Sequence, residues 1–251
     1  MTTRVLSRGL TSHADDHHTD ARAPTEMSRI PDADDVTPKV AGVPVDDPDV
    51  SSVLYDANMI EGALEQLAAL VVSHLGDFEV FVPVTTGAMM FASDLVRSVY
   101  TVERMLREEL QRGYKRMVIS CATCASYGAG TTSDANVEVE VRLPACDVKG
   151  KRVCILEDII DTGRTVMALT KALYAAGAEE VALIALMDKS ARRDAEATKY
   201  FEEKNMKIAC AFMCPDEFVV GYGLDYGGRY RELPFIGVLK PELIAASAEK
   251  K

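Results

Sequence analysis

The chain has 251 residues, 48% of them apolar, and a formal net charge of −11. Its length and apolar content allow one domain with a sizeable core, whereas its acidity argues against nucleic acid or a membrane surface as the main partner. No apolar run approaches the roughly 20 residues that a membrane-spanning helix needs, and no secretory signal is visible, so we expect a cytoplasmic protein.

The first 45 residues differ in composition from the rest of the chain. They are rich in Asp, Thr, Pro and His, carry few large apolar residues and show no periodicity. A segment of this kind buries too little apolar surface to offset the entropy of ordering it. We therefore predict a flexible or loosely docked tail over residues 1–45 and one domain over residues 46–251.

From Asn58 onwards, helix-like and strand-like segments alternate. Apolar residues recur at helical spacing up to Leu75, and Gly76 suits a helix end. The next predictions, in chain order, are a strand over Phe78–Val84, a helix from about Ala88 to Arg112, a strand over Lys115–Cys121, a long mobile loop over Ala122–Asn136 and a strand over Asn136–Arg142. They continue with a strand over Val153–Leu156, a helix over Thr165–Ala176 and strands over Val181–Met187, Met206–Met213, Phe218–Val220 and Phe235–Leu239.

This alternation predicts an α/β domain with a largely parallel sheet. In such sheets, ligands bind outside the carboxyl ends of the strands, in the crevice where the strand order reverses. Residues that follow directly after predicted strands are therefore the first candidates for a site.

The cysteines allow two interpretations. Two have CxxC spacing and two more are separated by three residues, which permits a four-cysteine zinc site formed by Cys121, Cys124, Cys210 and Cys214. Alternatively, Met117–Cys121 and Met206–Cys214 are buried β segments, in which a free cysteine acts as a small apolar side chain. We favour the second interpretation because both segments have the apolar character of buried strands, and we expect the thiols of an intracellular chain to be reduced.

The segment Val153–Thr165, VCILEDIIDTGRT, carries the clearest chemical signal. A buried strand leads to two adjacent carboxylates, Glu157 and Asp158, and then to an Asp-Thr-Gly-Arg-Thr turn that opens a helix. Backbone N–H groups at such a helix start form a pocket for a phosphate dianion, and Gly163 lets the backbone approach the ligand closely. The two carboxylates would repel a phosphate, so they suit sugar hydroxyls or Mg²⁺ instead.

Leu156–Thr165 resembles the phosphoribosyl pyrophosphate (PRPP) binding motif of type I phosphoribosyltransferases. The form EDIIDTG is the one seen in hypoxanthine-guanine phosphoribosyltransferases. The resemblance extends over about residues 55–240. It implies an α/β fold with a central, mostly parallel sheet flanked by helices and a small hood built from N- and C-terminal segments.

The resemblance also implies a role for each polar residue of the motif. Glu157 and Asp158 would hold the ribose hydroxyls and, together with Asp225, a Mg²⁺ ion. Asp161 would lie beside N7 of the purine as the general base. The ribose 5′-phosphate would be held by the turn residues Asp161, Thr162, Gly163, Arg164 and Thr165.

A second segment, Pro83–Ala88, lies where the family has its pyrophosphate-binding loop. That loop is often a Leu-Lys-Gly sequence with a strained or cis peptide, and in this chain Thr86 replaces the lysine. A contact through the backbone survives this replacement, but a contact through the lysine charge does not. The resemblance implies a pyrophosphate site made by Thr85, Thr86, Gly87 and Arg231, whose forked donors suit phosphate oxygens.

Phe218–Tyr226, FVVGYGLDY, resembles the purine-base segment of the family. Phe218 would stack on the base, the Val219 backbone would read the base edge, and Asp225 would reach the metal and pyrophosphate side. Lys189 follows a predicted strand and would donate to a 6-oxo group, which favours oxopurines over aminopurines.

A Ser-Tyr pair, Ser126 and Tyr127, opens the Gly/Ser/Thr-rich loop that follows the second predicted strand. In the family, such a pair marks the flexible loop that closes over the reaction centre and excludes water.

The resemblance as a whole implies an enzyme of purine salvage. It would transfer phosphoribosyl from Mg-PRPP to N9 of hypoxanthine, guanine or xanthine, which gives IMP, GMP or XMP and pyrophosphate. It would bind no nucleic acid and no membrane, and it would form a homodimer or homotetramer.

Three other readings remain to be weighed. A regulatory protein of the same fold could sense PRPP or a nucleotide and bind RNA, although no basic face is visible. A phosphoribosyltransferase could also act on another base, such as adenine or a pyrimidine. A nicotinamide dehydrogenase is remote, because no GxGxxG loop follows an early strand.

Overall fold

Short apolar segments of the sequence form the strands at the centre of the fold. The computed structural model describes residues 47–75, 78–110, 116–127 and 138–248. The predicted tail, residues 1–45, lies outside them. The strands are β1 Val50–Tyr55, β2 Val80–Thr85, β3 Val118–Ile119, β4 Ala122–Tyr127, β5 Glu138–Arg142, β6 Arg152–Ile160, β7 Glu180–Asp188, β8 Ile208–Met213, β9 Val219–Val220 and β10 Ile236–Leu239. The helices are α1 Ala57–His74, α2 Met89–Leu110, α3 Arg164–Ala175, α4 Ala195–Glu203 and α5 Pro241–Ala248.

The predicted, largely parallel sheet is confirmed. Its strand order is β5-β4-β2-β6-β7-β8. The short strand β3 pairs with the beginning of β2, and β4 pairs with the end of β2. All neighbouring strands are parallel except β5, which runs antiparallel to β4 at the edge. The carboxyl ends of the parallel strands therefore share one edge of the sheet.

Alternate side chains of the central strands face opposite layers of helices. On β6, Cys154 and Leu156 pack into the core that contains α1 and α2, whereas Val153 and Ile155 pack into the core that contains α3 and α4. Both faces are covered, as the continuous apolar runs of β6 and β7 require. No helix in the described ranges is both long and apolar enough to cross a membrane.

The predicted hood corresponds to a second, smaller sheet. Its antiparallel strand order is β1-β10-β9, so it joins a segment from the start of the domain to two segments near the end. The sequence prediction missed β1, because the VSSVLY pattern of Val50–Tyr55 alternates only weakly. It also missed α4 and α5.

The predicted loop over Ala122–Asn136 is wrong in its first part. Residues 122–127 form β4, and Ser126 and Tyr127 pair with Val139 and Glu138 of β5. The small polar residues of β4 are held extended because the strand has partners on both sides, β2 and β5, which outweighs their weak strand propensity. The rest of the predicted loop, residues 128–137, lies outside the described residues.

The zinc interpretation is wrong, because the cysteine pairs lie on different strands. Cys124 is on β4 and Cys210 is on β8, with β2, β6 and β7 between them. Four strand spacings of about 4.8 Å separate such positions by roughly 19 Å. The buried-strand interpretation is also wrong for the first segment, since Val118, Ile119 and Cys121 are exposed at the sheet edge.

Candidate active site

The strand order reverses between β2 and β6. From β2 the chain continues to β3 and β4 on one side, whereas β6 continues to β7 and β8 on the other. The loops after β2 and β6 therefore lie side by side at the carboxyl edge, and they are Thr85–Gly87 and Asp161–Thr165. These are the two loops that the sequence predicts to bind phosphate groups, and the crevice between them is where α/β sheets place ligands.

The Thr85–Gly87 loop is held close to the carboxylates of β6. The Thr85 hydroxyl donates to the Ala122 carbonyl at 3.1 Å, and the peptide bond between Thr85 and Thr86 is cis. Gly87 lies against Asp158, so that a methyl group on Gly87 would overlap the Asp158 carboxylate. The absence of a side chain at residue 87 is therefore what lets this loop approach β6.

Glu157 and Asp158 lie within β6, near its carboxyl end, rather than in the loop that follows the strand. The Glu157 side chain is buried, and its Oε2 has no hydrogen-bond partner among the described residues. Burial, reinforced by the negative charge of Asp158, raises the pKa of the Glu157 carboxyl well above its ordinary value. Burial also raises the pKa of Asp158, which the Ile159 N–H and the charge of Arg231 partly oppose.

The turn after β6 presents backbone donors at the start of α3. Gly163 precedes the helix with a φ of +82°, and its lack of a side chain leaves the helix without a side-chain cap at that position. The Arg164 N–H donates to the Thr162 hydroxyl at a long 3.4 Å. Thr165 follows in the first helical turn. A helix start of this kind has N–H groups to offer an anion.

Asp161 has one oxygen in a salt bridge and one without a partner. Its Oδ2 is 3.3 Å from Nη1 of Arg192, while its buried Oδ1 has no hydrogen-bond partner in the described part of the chain. The Arg164 side chain binds Asp194 through Nε at 2.8 Å and Nη2 at 2.7 Å. The group that Arg164 contributes to the turn is therefore its backbone N–H.

The base side of the crevice lies beyond β7. Lys189 is buried, and its Nζ donates to the Glu217 carbonyl at 2.8 Å and lies 3.4 Å from Asp216. The next residue, Phe218, keeps 40% of its surface exposed and meets Tyr226 edge to face, with ring centroids 5.1 Å apart. A buried ammonium group and an exposed aromatic face are thus brought together.

Arg231 links this side to the Thr85–Gly87 loop. Its Nη2 is 2.7 Å from Oδ1 of Asp225, its Nη1 donates to the Gly223 carbonyl, and its charge acts on the Asp158 carboxyl. A side chain on Gly223 would overlap the Gly87 carbonyl, which shows how closely the two segments approach. Val219, by contrast, is buried in β9 and pairs with Val238.

Comparison with known proteins now identifies the family. The Phosphoribosyl transferase domain model matches residues 51–226. The chain belongs to the phosphoribosyltransferase family. The match includes both phosphate-binding loops, Lys189 and the Phe218–Tyr226 segment.

Relatives and solved structures agree with this assignment. Over 196 residues the chain is 33% identical to a hypoxanthine-guanine phosphoribosyltransferase of Staphylococcus aureus, which covers 78% of this chain and 97% of that protein. It is 35% identical over 196 residues to the bifunctional protein TilS/HprT of Listeria monocytogenes, and it spans only 27% of that longer protein. A hypoxanthine phosphoribosyltransferase structure from S. aureus superimposes with a TM-score of 0.63 at 31% identity, covering 78% of this chain and 94% of that one. A Trypanosoma cruzi structure with a TM-score of 0.65, at 24% identity and covering 82% and 100%, supports the fold alone.

The carboxylates of this phosphoribosyltransferase fit a metal ion that takes most of its ligands from elsewhere. Within the described ranges, no group of three or more Asp, Glu, His or Cys side chains is placed to hold an ion. Glu157 has an oxygen without a partner, whereas both oxygens of Asp225 already accept, from Arg231 and the Gly228 N–H. Mg²⁺ is commonly held by one or two carboxylates, substrate phosphates and water, so this arrangement suits it.

Apart from Lys189, sequence reasoning missed the segment Asp188–Asp194, which contacts the Asp161–Thr165 turn. Arg192 binds Asp161, Arg193 binds Asp188, and the Asp194 N–H donates to the Thr162 carbonyl. The sequence did contain a signal for α4, namely the cluster KSARRD followed by apolar residues at helical spacing. Its last residue, Asp194, is the N-cap of α4 and accepts from the Glu196 N–H.

The buried Glu157 makes stability depend on pH in a direction that can be worked out. Its folded-state pKa is raised above the unfolded value, so the folded protein binds the proton more tightly. The free energy of unfolding therefore falls as pH rises from the unfolded pKa through the folded one. We expect Glu157→Gln to reduce this fall and to be more stable than the wild type at pH 8, as measured by urea unfolding from pH 5 to 8 with EDTA.

Asp147→Asn, which changes an exposed carboxylate, serves as the control and should follow the wild-type pH profile. A Glu157→Gln variant that is less stable than the wild type at pH 8 would contradict the assigned direction.

Proposed function

We propose that this phosphoribosyltransferase acts in purine salvage. It transfers phosphoribosyl from Mg-PRPP to N9 of a 6-oxopurine and releases the nucleoside 5′-monophosphate and pyrophosphate. The observation that carries this proposal is the buried ammonium of Lys189 beside the exposed ring of Phe218, across the carboxyl edge from two loops suited to phosphate groups. The hypoxanthine-guanine phosphoribosyltransferase named among the relatives supports the same substrate class.

The donor is held from both ends. The 5′-phosphate is bound by the N–H groups and hydroxyls of Thr162–Thr165, and the ribose hydroxyls donate to Glu157 and Asp158. The pyrophosphate lies on the backbone of Thr85–Gly87 and against Arg231. Because Thr86 replaces the usual lysine, Arg231 is the cation that we assign to the pyrophosphate, through the N–H bonds that Asp225 and the Gly223 carbonyl leave over.

The base is held by stacking and by one buried donor. Phe218 covers one face of the purine, the Val219 backbone reads an edge, and Lys189 donates to the 6-oxo group. The Glu217 carbonyl and Asp216 already accept from Lys189 and fix its direction. An amino group at C6 offers no acceptor to the remaining N–H of the ammonium and directs its own N–H bonds towards that positive charge, which disfavours adenine.

The reaction passes through a ribosyl cation. A Mg²⁺ ion held at Glu157 and Asp158 would supply positive charge to the leaving pyrophosphate. Arg231 binds the departing oxygens, and Asp161 accepts the N7 proton as N9 attacks. The unpartnered Oδ1 of Asp161 suits this role, because it has no competing donor among the described residues.

Two further features follow from the family. Ser126 and Tyr127, the last residues of β4, close over the reaction centre, and β4 pairs with β2 beside Thr85. A homodimer or homotetramer is the expected assembly.

A panel of bases tests the substrate assignment. With PRPP and Mg²⁺, we expect hypoxanthine, guanine or xanthine to release pyrophosphate, with kcat/KM for adenine lower by about 100-fold or more. Lys189→Gln should bring the kcat/KM values for adenine and the 6-oxopurines closer together, because a neutral amide can donate to a 6-oxo group or accept from a 6-amino group. Equal use of adenine and hypoxanthine would contradict the role of Lys189.

The same panel separates the enzyme from a regulatory protein of this fold. A regulatory protein would bind PRPP without steady-state pyrophosphate release for any base.

Asp161 is the residue on which turnover should depend most. We expect Asp161→Asn to lower kcat by about 10²-fold to 10⁴-fold while PRPP affinity stays close to that of the wild type, because the amide cannot accept the N7 proton. Pre-steady-state rates and calorimetric PRPP binding measure the two effects separately. The exposed carboxylate variant Glu203→Gln is the control, and near-normal turnover of Asp161→Asn would exclude it as the base.

A further inference from the structure

The segment Lys189–Asp194, here called the strap, holds the carbonyl groups of the turn after β6. Three consecutive carbonyls, from the last residue of β6 and the first two of the turn, each accept a hydrogen bond from the strap. The Lys189 N–H donates to the Ile160 carbonyl at 2.9 Å, Nε of Arg193 to the Asp161 carbonyl at 3.2 Å, and the Asp194 N–H to the Thr162 carbonyl at 3.0 Å. The strap therefore fixes three successive peptide planes.

Fixed carbonyls determine where the N–H groups of the turn point. In a trans peptide the C=O of one residue and the N–H of the next point in opposite directions. With the carbonyls of residues 160–162 turned towards the strap, the N–H groups of Asp161, Thr162 and Gly163 point away from it. Successive N–H groups on one side of a turn form a concave site for an anion.

Arg193 is the one side chain among these three donors. Its Nη2 also donates to the Ile160 carbonyl at 3.4 Å and binds the Asp188 carboxylate, and only 14% and 11% of the two charged side chains are exposed. The nearly buried guanidinium is thus neutralised by Asp188. It contributes hydrogen-bond geometry rather than a free positive charge for the ligand.

The surroundings of Arg193 leave it little freedom. A Cβ on Gly163 would lie 3.0 Å from Cδ of Arg193 and 3.3 Å from the Phe201 ring, and the guanidinium carbon stands 6.0 Å from the centre of that ring. The side chain is held between the turn and α4. On the far side of the strap, Arg164 binds Asp194.

We propose that Arg193 is a positioning residue that orients the backbone donors of the 5′-phosphate site and the backbone of Asp161. The inference rests on the proposed function, because it assigns the ligand of the turn as a sugar phosphate. Arg193 does not contact the substrate. Its loss frees the Asp161 carbonyl, and the N–H group on the same peptide plane then loses its fixed direction.

Calorimetric binding of two separate ligands tests this role. In Arg193→Gln we expect ribose 5-phosphate and PRPP to bind about 10-fold to 100-fold more weakly, as for a displacement of about 1 Å at a site. Pyrophosphate with Mg²⁺ should bind as in the wild type, because Thr85–Gly87 and Arg231 do not touch the strap. A general loss of structure would weaken the binding of both ribose 5-phosphate and pyrophosphate.

Two further variants keep the test decisive. Arg193→Lys retains the charge beside Asp188 but lacks the planar fork, so it should also bind ribose 5-phosphate more weakly, and it serves if the glutamine variant does not fold. Lys207→Gln removes a cation that pairs with Glu180 at 2.8 Å at the opposite edge of the sheet, and it should bind both ligands normally.

The outcomes distinguish this inference from the proposed function. Wild-type protein that binds neither PRPP nor ribose 5-phosphate would overturn both. Wild-type binding together with unchanged ribose 5-phosphate affinity in Arg193→Gln and Arg193→Lys would overturn the positioning role alone, as would an equal loss of pyrophosphate affinity.

Discussion

The close approach of Gly87 to the carboxylate of Asp158 sets the geometry of the whole crevice. It brings the loop after β2 against the end of β6, where any side chain at residue 87 would overlap the carboxylate. Gly223 approaches the other side of the same loop, against the Gly87 carbonyl. Two glycines therefore bring three segments together, and the distance between the two loops predicted to bind phosphate groups follows from these contacts.

An acidic protein with paired carboxylates must still bind a highly charged donor. Glu157 and Asp158 are buried side by side, and burial raises the pKa of both carboxyls. The positive counterpart comes from backbone N–H groups at α3, from Arg231 and, in the proposed reaction, from Mg²⁺. Three nearby arginines are already paired with carboxylates, since Arg193 binds Asp188, Arg164 binds Asp194 and Arg231 itself binds Asp225.

The sequence predicted the elements whose signal is local and strong. The runs of β6 and β7 and the periodic α1 are recognisable without a structure, and so is the turn Asp161–Thr165. The strand β1 and the strand character of Ser126 and Tyr127 were missed, because both depend on pairing with segments distant in sequence. Local patterns do not contain such partners.

The same limit applies to the site. Residue types and spacing indicated which side chains belong to it, but not their partners. The strap lies about thirty residues away from the turn in sequence. Arg164 binds Asp194 of the strap, and Arg193 of the strap donates to the Asp161 carbonyl, so neither contact is visible in the local sequence.

A crystal structure with PRPP and Mg²⁺ tests the central claim most directly, which is that the crevice between β2 and β6 holds the donor from both ends. The account predicts the 5′-phosphate on the N–H groups of Thr162–Thr165, the ribose hydroxyls at Glu157 and Asp158, and the pyrophosphate on Thr85–Gly87. A donor bound in the reverse orientation, or outside this crevice, would contradict it.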